Sequence, residues 1–271
     1  MDDGHHGCRV VRGTHGRAGG GYSQEVTAAE LVIIRHGESL GNVAAARAQE
    51  ADAEVIEVGQ RDADVELSEL GQAQARALGA GLKELLADGR PTVVWSSPYV
   101  RAQQTAGTAL AAAGAELPVF VDERLRDREL GVLDLLTTRG VANRYPLEAE
   151  RRRWLGKFFH RPPGGESWAD VVLRVRSFVG DLQAVPDGTR LVVVCHDALV
   201  LSFRYVCERM NEAEVLAIGA STPVLNVSIT RLVREPDLTW RLELFNDVRH
   251  VEAADLPVTQ HGGEGNVHPR P

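Results

Sequence analysis

Aromatic residues are scarce in this 271-residue chain, at 5%, so Leu, Val and Ala must fill most of any core. There are only three cysteines, Cys8, Cys195 and Cys207. An odd number so widely separated excludes a disulfide framework, and none has a His or Cys neighbour at zinc-ligand spacing. No apolar run approaches the roughly 20 residues of a membrane-spanning helix. The start, Met-Asp-Asp, lacks the basic and apolar segments of a secretory leader, so a reducing cytoplasm is the expected compartment. Basic residues are in deficit: 30 Lys and Arg against 38 Asp and Glu leave a net charge of −8. That balance argues against broad binding to nucleic acid or an anionic membrane, while allowing one locally basic pocket.

What is present is the composition of a soluble globular protein, 44% hydrophobic and 25% charged. Residues 1–28 are glycine-rich without apolar periodicity and read as a flexible tail, with His5 and His6 as no more than solvated side chains. Residues 251–271 read the same way. Between them, 29–250 form one domain. Apolar runs at 31–34, 92–95, 119–121 and 191–195 predict buried strands, and 225–232 with 240–245 predict a late pair. Helical periodicity separates them. Ser39, Ser68, Ser97 before Pro98, and Ser167 with Asp170 are expected caps. Alternating strands and helices predict an α/β fold, three-layer α/β/α with a mostly parallel central sheet. In such sheets ligands sit beyond the carboxyl ends of the strands.

Those ends carry unusual residues. The first strand runs into Arg35-His36-Gly37-Glu38-Ser39, with Asn42 behind. The second leads to Ser96-Ser97-Pro98-Tyr99-Val100-Arg101, which places Arg101 in a first helical turn. A cation there opposes the helix dipole, and a bound anion would resolve the conflict. The fourth leads to Cys195-His196-Asp197. Two histidines and two arginines at the mouth of one sheet suit a phosphoryl group: one His attacks phosphorus while the other and the arginines balance the charge on its oxygens. Gly37 is expected beside the ligand.

Arg35-His36-Gly37-Glu38, the segment 67–75, Ser96 through Thr105, and Val194-Cys195-His196 together resemble the histidine phosphatase superfamily, the phosphoglycerate mutase-like fold, over about residues 31–245. The resemblance implies that His36 becomes phosphohistidine and that water hydrolyses it. Arg35, Asn42, Arg101 and His196 would hold the phosphoryl oxygens, with no metal and no cofactor. In Leu125-Arg126-Asp127-Arg128-Glu129-Leu130-Gly131, Asp127 stands where the family has its proton-donating Glu; Glu129 is the alternative acid. The segment 160–167 is similar to fructose-2,6-bisphosphatases, a likeness that implies substrate contacts at Arg153 and Lys157. Asp197 departs from the family's Gly or Gln and is expected to point away from the pocket. The insert at about 132–166 would cap the substrate.

The resulting expectation is a metal-independent phosphomonoester hydrolase acting on a small phosphorylated metabolite. The alternatives are a cofactor-dependent phosphoglycerate mutase and a non-catalytic phospho-ligand binder. The residues leave substrate identity and oligomeric state open.

Overall fold

The computed structural model describes residues 30–182, 185, 186 and 188–260. The expected tail 1–28, with Cys8, His5 and His6, and residues 261–271 lie outside that range. The order of elements is β1 (Glu30–Arg35), α1 (Leu40–Glu50), α2 (Glu69–Leu86), β2 (Thr92–Ser96), α3 (Val100–Ala113), β3 (Val119–Val121), α4 (Thr138–Arg144), α5 (Pro146–Phe159), α6 (Trp168–Asp181), β4 (Arg190–Cys195), α7 (Asp197–Cys207), α8 (Glu212–Ser221), β5 (Ile229–Arg234), β6 (Trp240–Asp247) and α9 (Arg249–Glu252). The strands form one sheet in the order β3-β2-β4-β1-β5-β6. β3, β2, β4 and β1 pair in parallel, and β5 and β6 are antiparallel.

The apolar runs become central strands because both faces of the sheet are covered. Along β1, Leu31 and Ile33 face one core with Phe178, Leu199 and Phe203 of α6 and α7. Val32 and Ile34 face the other, with Leu78 and Leu82 of α2 and Ala102 and Ala106 of α3. The second core contains no aromatic residue among its buried members. Small residues there let the helices lie close to the sheet, which is how a chain so poor in aromatics is packed.

Two readings are corrected. The strand expected from 225 begins at Ile229, because 225–228 forms a turn with Val227 at φ 51. The Val227 N–H reaches the Arg35 carbonyl at 3.1 Å, so the turn serves the end of β1 instead of extending β5. Residues 251–260, read as the start of a tail, are held against the domain. Val251 is buried, Leu256 packs against the second core, and Thr259 donates to the Asn226 side chain at 3.0 Å. Cys195 and Cys207 are both buried free thiols.

At the amino ends of the strands, the Glu30 carboxylate is fully buried and accepts from Arg190 Nε at 2.8 Å, from Arg90 at 3.1 Å and from Arg231. Arg190 is itself buried, and removing its partner leaves a desolvated cation with only the half-exposed Asp88 beside it. Glu30→Ala is expected to destabilise the fold by about 3–5 kcal/mol in urea unfolding. The distant His36 site should keep its geometry in the fraction that remains folded. A loss below about 1 kcal/mol, the value of an exposed pair, would contradict the burial argument.

Candidate active site

β1 and β4 lie side by side with Arg35 opposite Cys195, so His36 and His196 leave the sheet together. The His36 N–H is fixed by the Cys195 carbonyl at 2.9 Å, and the two imidazole rings meet edge to face at 5.1 Å. Asn226 donates to the His36 carbonyl at 2.9 Å from the turn before β5. His36 Nδ1 lies 2.7 Å from the Gly37 carbonyl. A carbonyl can only accept, so Nδ1 carries the proton and Nε2 presents a lone pair. Arg101 Nε donates to that Nε2 at 3.2 Å.

His196 is fully buried, and burial, followed by the charge of Arg101, holds its pKa well below the ordinary histidine value. Its Nε2 is 2.8 Å from the Ser97 hydroxyl, which in turn accepts the Tyr99 N–H at 3.2 Å. With that hydroxyl proton donated to Nε2, the His196 proton sits on Nδ1. Nδ1 lies 3.3 Å from Asp127 Oδ2 yet has no hydrogen-bond partner among the described residues. Arg35 is likewise buried. One of its terminal nitrogens holds the Val224 carbonyl, while its Nε has no partner. Unpaired buried donors are rare, and two of them, on Arg35 and His196, at the strand ends that carry His36 describe a cradle for an oxyanion.

Arg101 forms the third wall, only 4% exposed. All five of its N–H groups are engaged. Nε is on His36, the terminal nitrogens take the Asp62 carboxylate twice at 3.0 Å and the Asp62 carbonyl at 2.6 Å, and one reaches Asp127 at 3.2 Å. A phosphoryl group must therefore displace the Asp62 carboxylate to use this arginine. Asp62→Ala is expected to tighten binding of inorganic phosphate about tenfold, the equivalent of about 1.4 kcal/mol. Titration calorimetry checks this, and weaker binding in the variant would show that Asp62 orients Arg101 for the ligand instead of competing with it.

Asp127 joins the cradle from the segment after β3. Arg174 of α6 supports that segment, donating to the Asp127 carbonyl at 3.0 Å and closing on Glu166 at 3.0 Å. The Asp127 pKa is pushed up to about 7, first by burial and then by the charge of Asp197, against the lowering effect of Arg101. Glu129, the alternative acid, is exposed and accepts from the Tyr99 hydroxyl at 2.8 Å, outside the cradle.

Asn42 Oδ1 accepts the Ser39 N–H at 3.2 Å in a capping box, leaving its amide NH2 as the available donor. Gly37, expected beside the ligand, serves packing: its N–H is held by Thr105 at 3.0 Å, and a Cβ there would stand 2.7 Å from the Gly71 carbonyl oxygen. Arg153 and Lys157 lie on α5, Arg153 exposed and the Lys157 ammonium 5.4 Å from the Trp168 ring centre. Asp197 does not act as a distant surface group. It accepts the Ala198 N–H at 2.7 Å, and its charge raises the pKa of Asp127 and partly offsets the burial that lowers that of Arg35. Ser97 is not the cap of α3, since the N-cap is Tyr99 without a side-chain bond and the Ser97 hydroxyl is occupied by His196.

Asp62, Ser97 and Asn226 are the site residues that sequence reasoning missed. Among the described residues no group of three or more His, Cys, Asp and Glu is arranged to hold a metal ion, and no helix is long and apolar enough to cross a membrane.

Comparison with known proteins identifies the family. The family model of the histidine phosphatase superfamily (branch 1) matches residues 31–248. The chain is 33% identical over 201 residues to the 2,3-bisphosphoglycerate-dependent phosphoglycerate mutase of Methylobacterium radiotolerans, covering 72% of this chain and 87% of that one. Among solved structures it is similar to mycobacterial glucosyl-3-phosphoglycerate phosphatase in complex with inorganic phosphate. That match has a TM-score of 0.62 and 30% identity over 83% of this chain and 100% of the other. The alpha-ribazole phosphatase of Shigella flexneri shares the fold, with a TM-score of 0.64 and 21% identity over 81% of this chain and 96% of that one.

Proposed function

The chain belongs to the histidine phosphatase superfamily, and from that premise we propose that it is a phosphoric monoester hydrolase acting on a small phosphorylated metabolite. The observation that carries the reading is an unprotonated His36 Nε2 at a strand end whose neighbours Arg35 and His196 hold the buried, unpartnered atoms Nε and Nδ1.

His36 Nε2 attacks phosphorus, the P–O ester bond breaks, and Asp127 gives its proton to the departing alkoxide. The phosphoryl oxygens lie on Arg35, on His196 Nδ1–H and on Arg101 once Asp62 has yielded. Water then attacks phosphohistidine, the P–N bond breaks, the Asp127 carboxylate takes the water proton, and inorganic phosphate leaves. The 132–166 insert, with Arg153 and Lys157, meets the remainder of the substrate. The likeness to a phosphatase of a phosphorylated glycerate derivative makes sugar- and acid-phosphates the first class to screen.

A second reading has a specific observation behind it, since the relative at 33% identity is a mutase. One experiment separates the readings. The protein is mixed with 3-phosphoglycerate and EDTA, with and without 2,3-bisphosphoglycerate, alongside a panel of sugar phosphates, and phosphorus NMR follows the products. Release of inorganic phosphate together with acid-labile phosphoprotein in a rapid quench is the expected result. Conversion to 2-phosphoglycerate only with bisphosphoglycerate present would establish the mutase. Phosphate binding without turnover of any ester would leave a binder.

A further inference from the structure

A second cationic site lies at the opposite end of the sheet. β5 runs antiparallel to β1, so Arg234 falls beyond the start of β1 whereas His36 follows its end. The length of β1 separates the two by roughly 20 Å. A cleft of about 290 Å³ opens there between the later turns of α6 and α7 and the β5–β6 hairpin, lined by Arg176, Arg209, Arg234, Leu238 and Trp240 among others. Among the described residues no Asp or Glu lines it, in a chain whose net charge is −8.

Arg234 is the unusual member. It is half-buried, with its guanidinium stacked 4.9 Å from the Trp240 ring centre. Its Nε is fully buried without a hydrogen-bond partner, and Arg234 forms no ion pair among the described residues. Burial lowers its pKa, the direction expected of a desolvated cation without a counter-charge. Arg190, Arg124 and Arg174 in this fold each close on carboxylates instead. Of the nearby acids, Glu208 pairs with Arg204, taking both ends of its guanidinium at 3.0 and 2.8 Å. Asp237 accepts from the Thr239 N–H and hydroxyl at 3.0 and 2.6 Å; it feels the charge of Arg209 but forms no ion pair with it among the described residues. An unmatched, partly desolvated guanidinium is costly unless an anion joins it.

We infer that this cleft is a binding site for a small oxyanion of two or more charges, a phosphate ester or a polycarboxylate, held by Arg234, Arg209 and Arg176 against the Trp240 face. Guanidinium forks donate to either group in a planar, bidentate geometry. The inference is independent of the chemistry proposed at His36.

Inorganic pyrophosphate and citrate are the two probes, titrated calorimetrically into the full chain, into Arg234→Met and into Arg101→Met. The second variant removes an arm of the His36 cradle and leaves the distal cleft intact. At least one probe is expected to bind the wild type and Arg101→Met, with affinity falling tenfold or more in Arg234→Met. The preferred probe then tells phosphate from carboxylate chemistry. Without a probe, Arg234→Met should melt no lower than the wild type, because it removes an uncompensated charge. Equal binding by Arg234→Met and the wild type, or binding lost only in Arg101→Met, overturns the inference. So does a wild type that binds neither probe. An Arg234→Met protein that melts well below the wild type while keeping its anion-dependent rise in Tm would make the Trp240 stack purely structural, and would overturn it as well.

Discussion

His36→Ala is expected to lower turnover of every phosphate ester by a factor on the order of 10⁴ or more, with EDTA present throughout. The size follows from the division of labour in the cradle. Arg35, Arg101 and His196 stabilise charge, yet none offers a lone pair to phosphorus: guanidinium groups are donors only, and the His196 lone pair at Nε2 is capped by Ser97. His36 Nε2 is unprotonated, and its lone pair, which accepts from Arg101 Nε at 3.2 Å, is released once that arginine turns to the phosphoryl oxygens. The variant should fold normally, because the position is fixed through its backbone by Cys195, Asn226 and Val227, not through the ring. It should also still bind inorganic phosphate, since the orphaned donors remain. Retained binding with abolished turnover, read together by calorimetry and a phosphate-release assay, separates a lost nucleophile from a collapsed pocket. Turnover within tenfold of the wild type, in protein free of contaminating phosphatase, would remove His36 from the mechanism.

How much of this site could be read in advance depended on where the determining contact lay. β1 and β4 were legible because a buried parallel strand is apolar along its whole length, and Arg-His or His-Asp directly after such a run has few structural explanations. Arg101 was legible because a cation in a first helical turn opposes the dipole. Asp62 was not legible: it sits in the short 3-10 turn Asp62–Asp64, outside any periodic pattern, and meets Arg101 only through the folded topology. Ser97 misled for a chemical reason. A serine before proline is a strong helix-start signal, but one hydroxyl serves few partners, and burial against His196 outranked capping. The turn at 225–228 read as strand because Leu225, Val227 and Ile229 alternate. The positive φ at Val227, a costly conformation for a β-branched residue, is held by the contacts its neighbour Asn226 makes with the His36 loop and with Thr259. Residues 251–260 read as a tail because their apolar residues follow neither a helical nor a strand period; Val251 and Leu256 nonetheless reach the second core, and Thr259 is tied to Asn226 and Gln74.

Asp127→Asn carries the second large effect, and its size depends on the leaving group. A proton donor contributes about 10²–10⁴-fold where the departing oxygen is a poor leaving group, so alkyl phosphates should slow by that factor. With p-nitrophenyl phosphate, whose phenolate leaves without a proton, the loss should be far smaller. Asp is one methylene shorter than the family's Glu, and the fold compensates by bringing its Oδ2 within 3.2 Å of Arg101 and 3.3 Å of His196. The pH dependence has a definite sign. A donor must be protonated, and burial with Asp197 pushes the Asp127 pKa up to about 7, so kcat/KM for an alkyl phosphate should hold below that pH and fall above it. Asp197→Asn removes a negative neighbour and thereby favours the ionised form of Asp127. The protonated donor is then lost at lower pH, and the falling limb should move toward acid while the nucleophile is unaffected. Glu129→Gln should leave both the limb and the leaving-group dependence in place, because that carboxylate is tied to Tyr99 outside the cradle. A limb that moves with Glu129→Gln and not with Asp197→Asn would transfer the acid role from Asp127 to Glu129. It would also require the segment after β3 to rearrange when substrate binds.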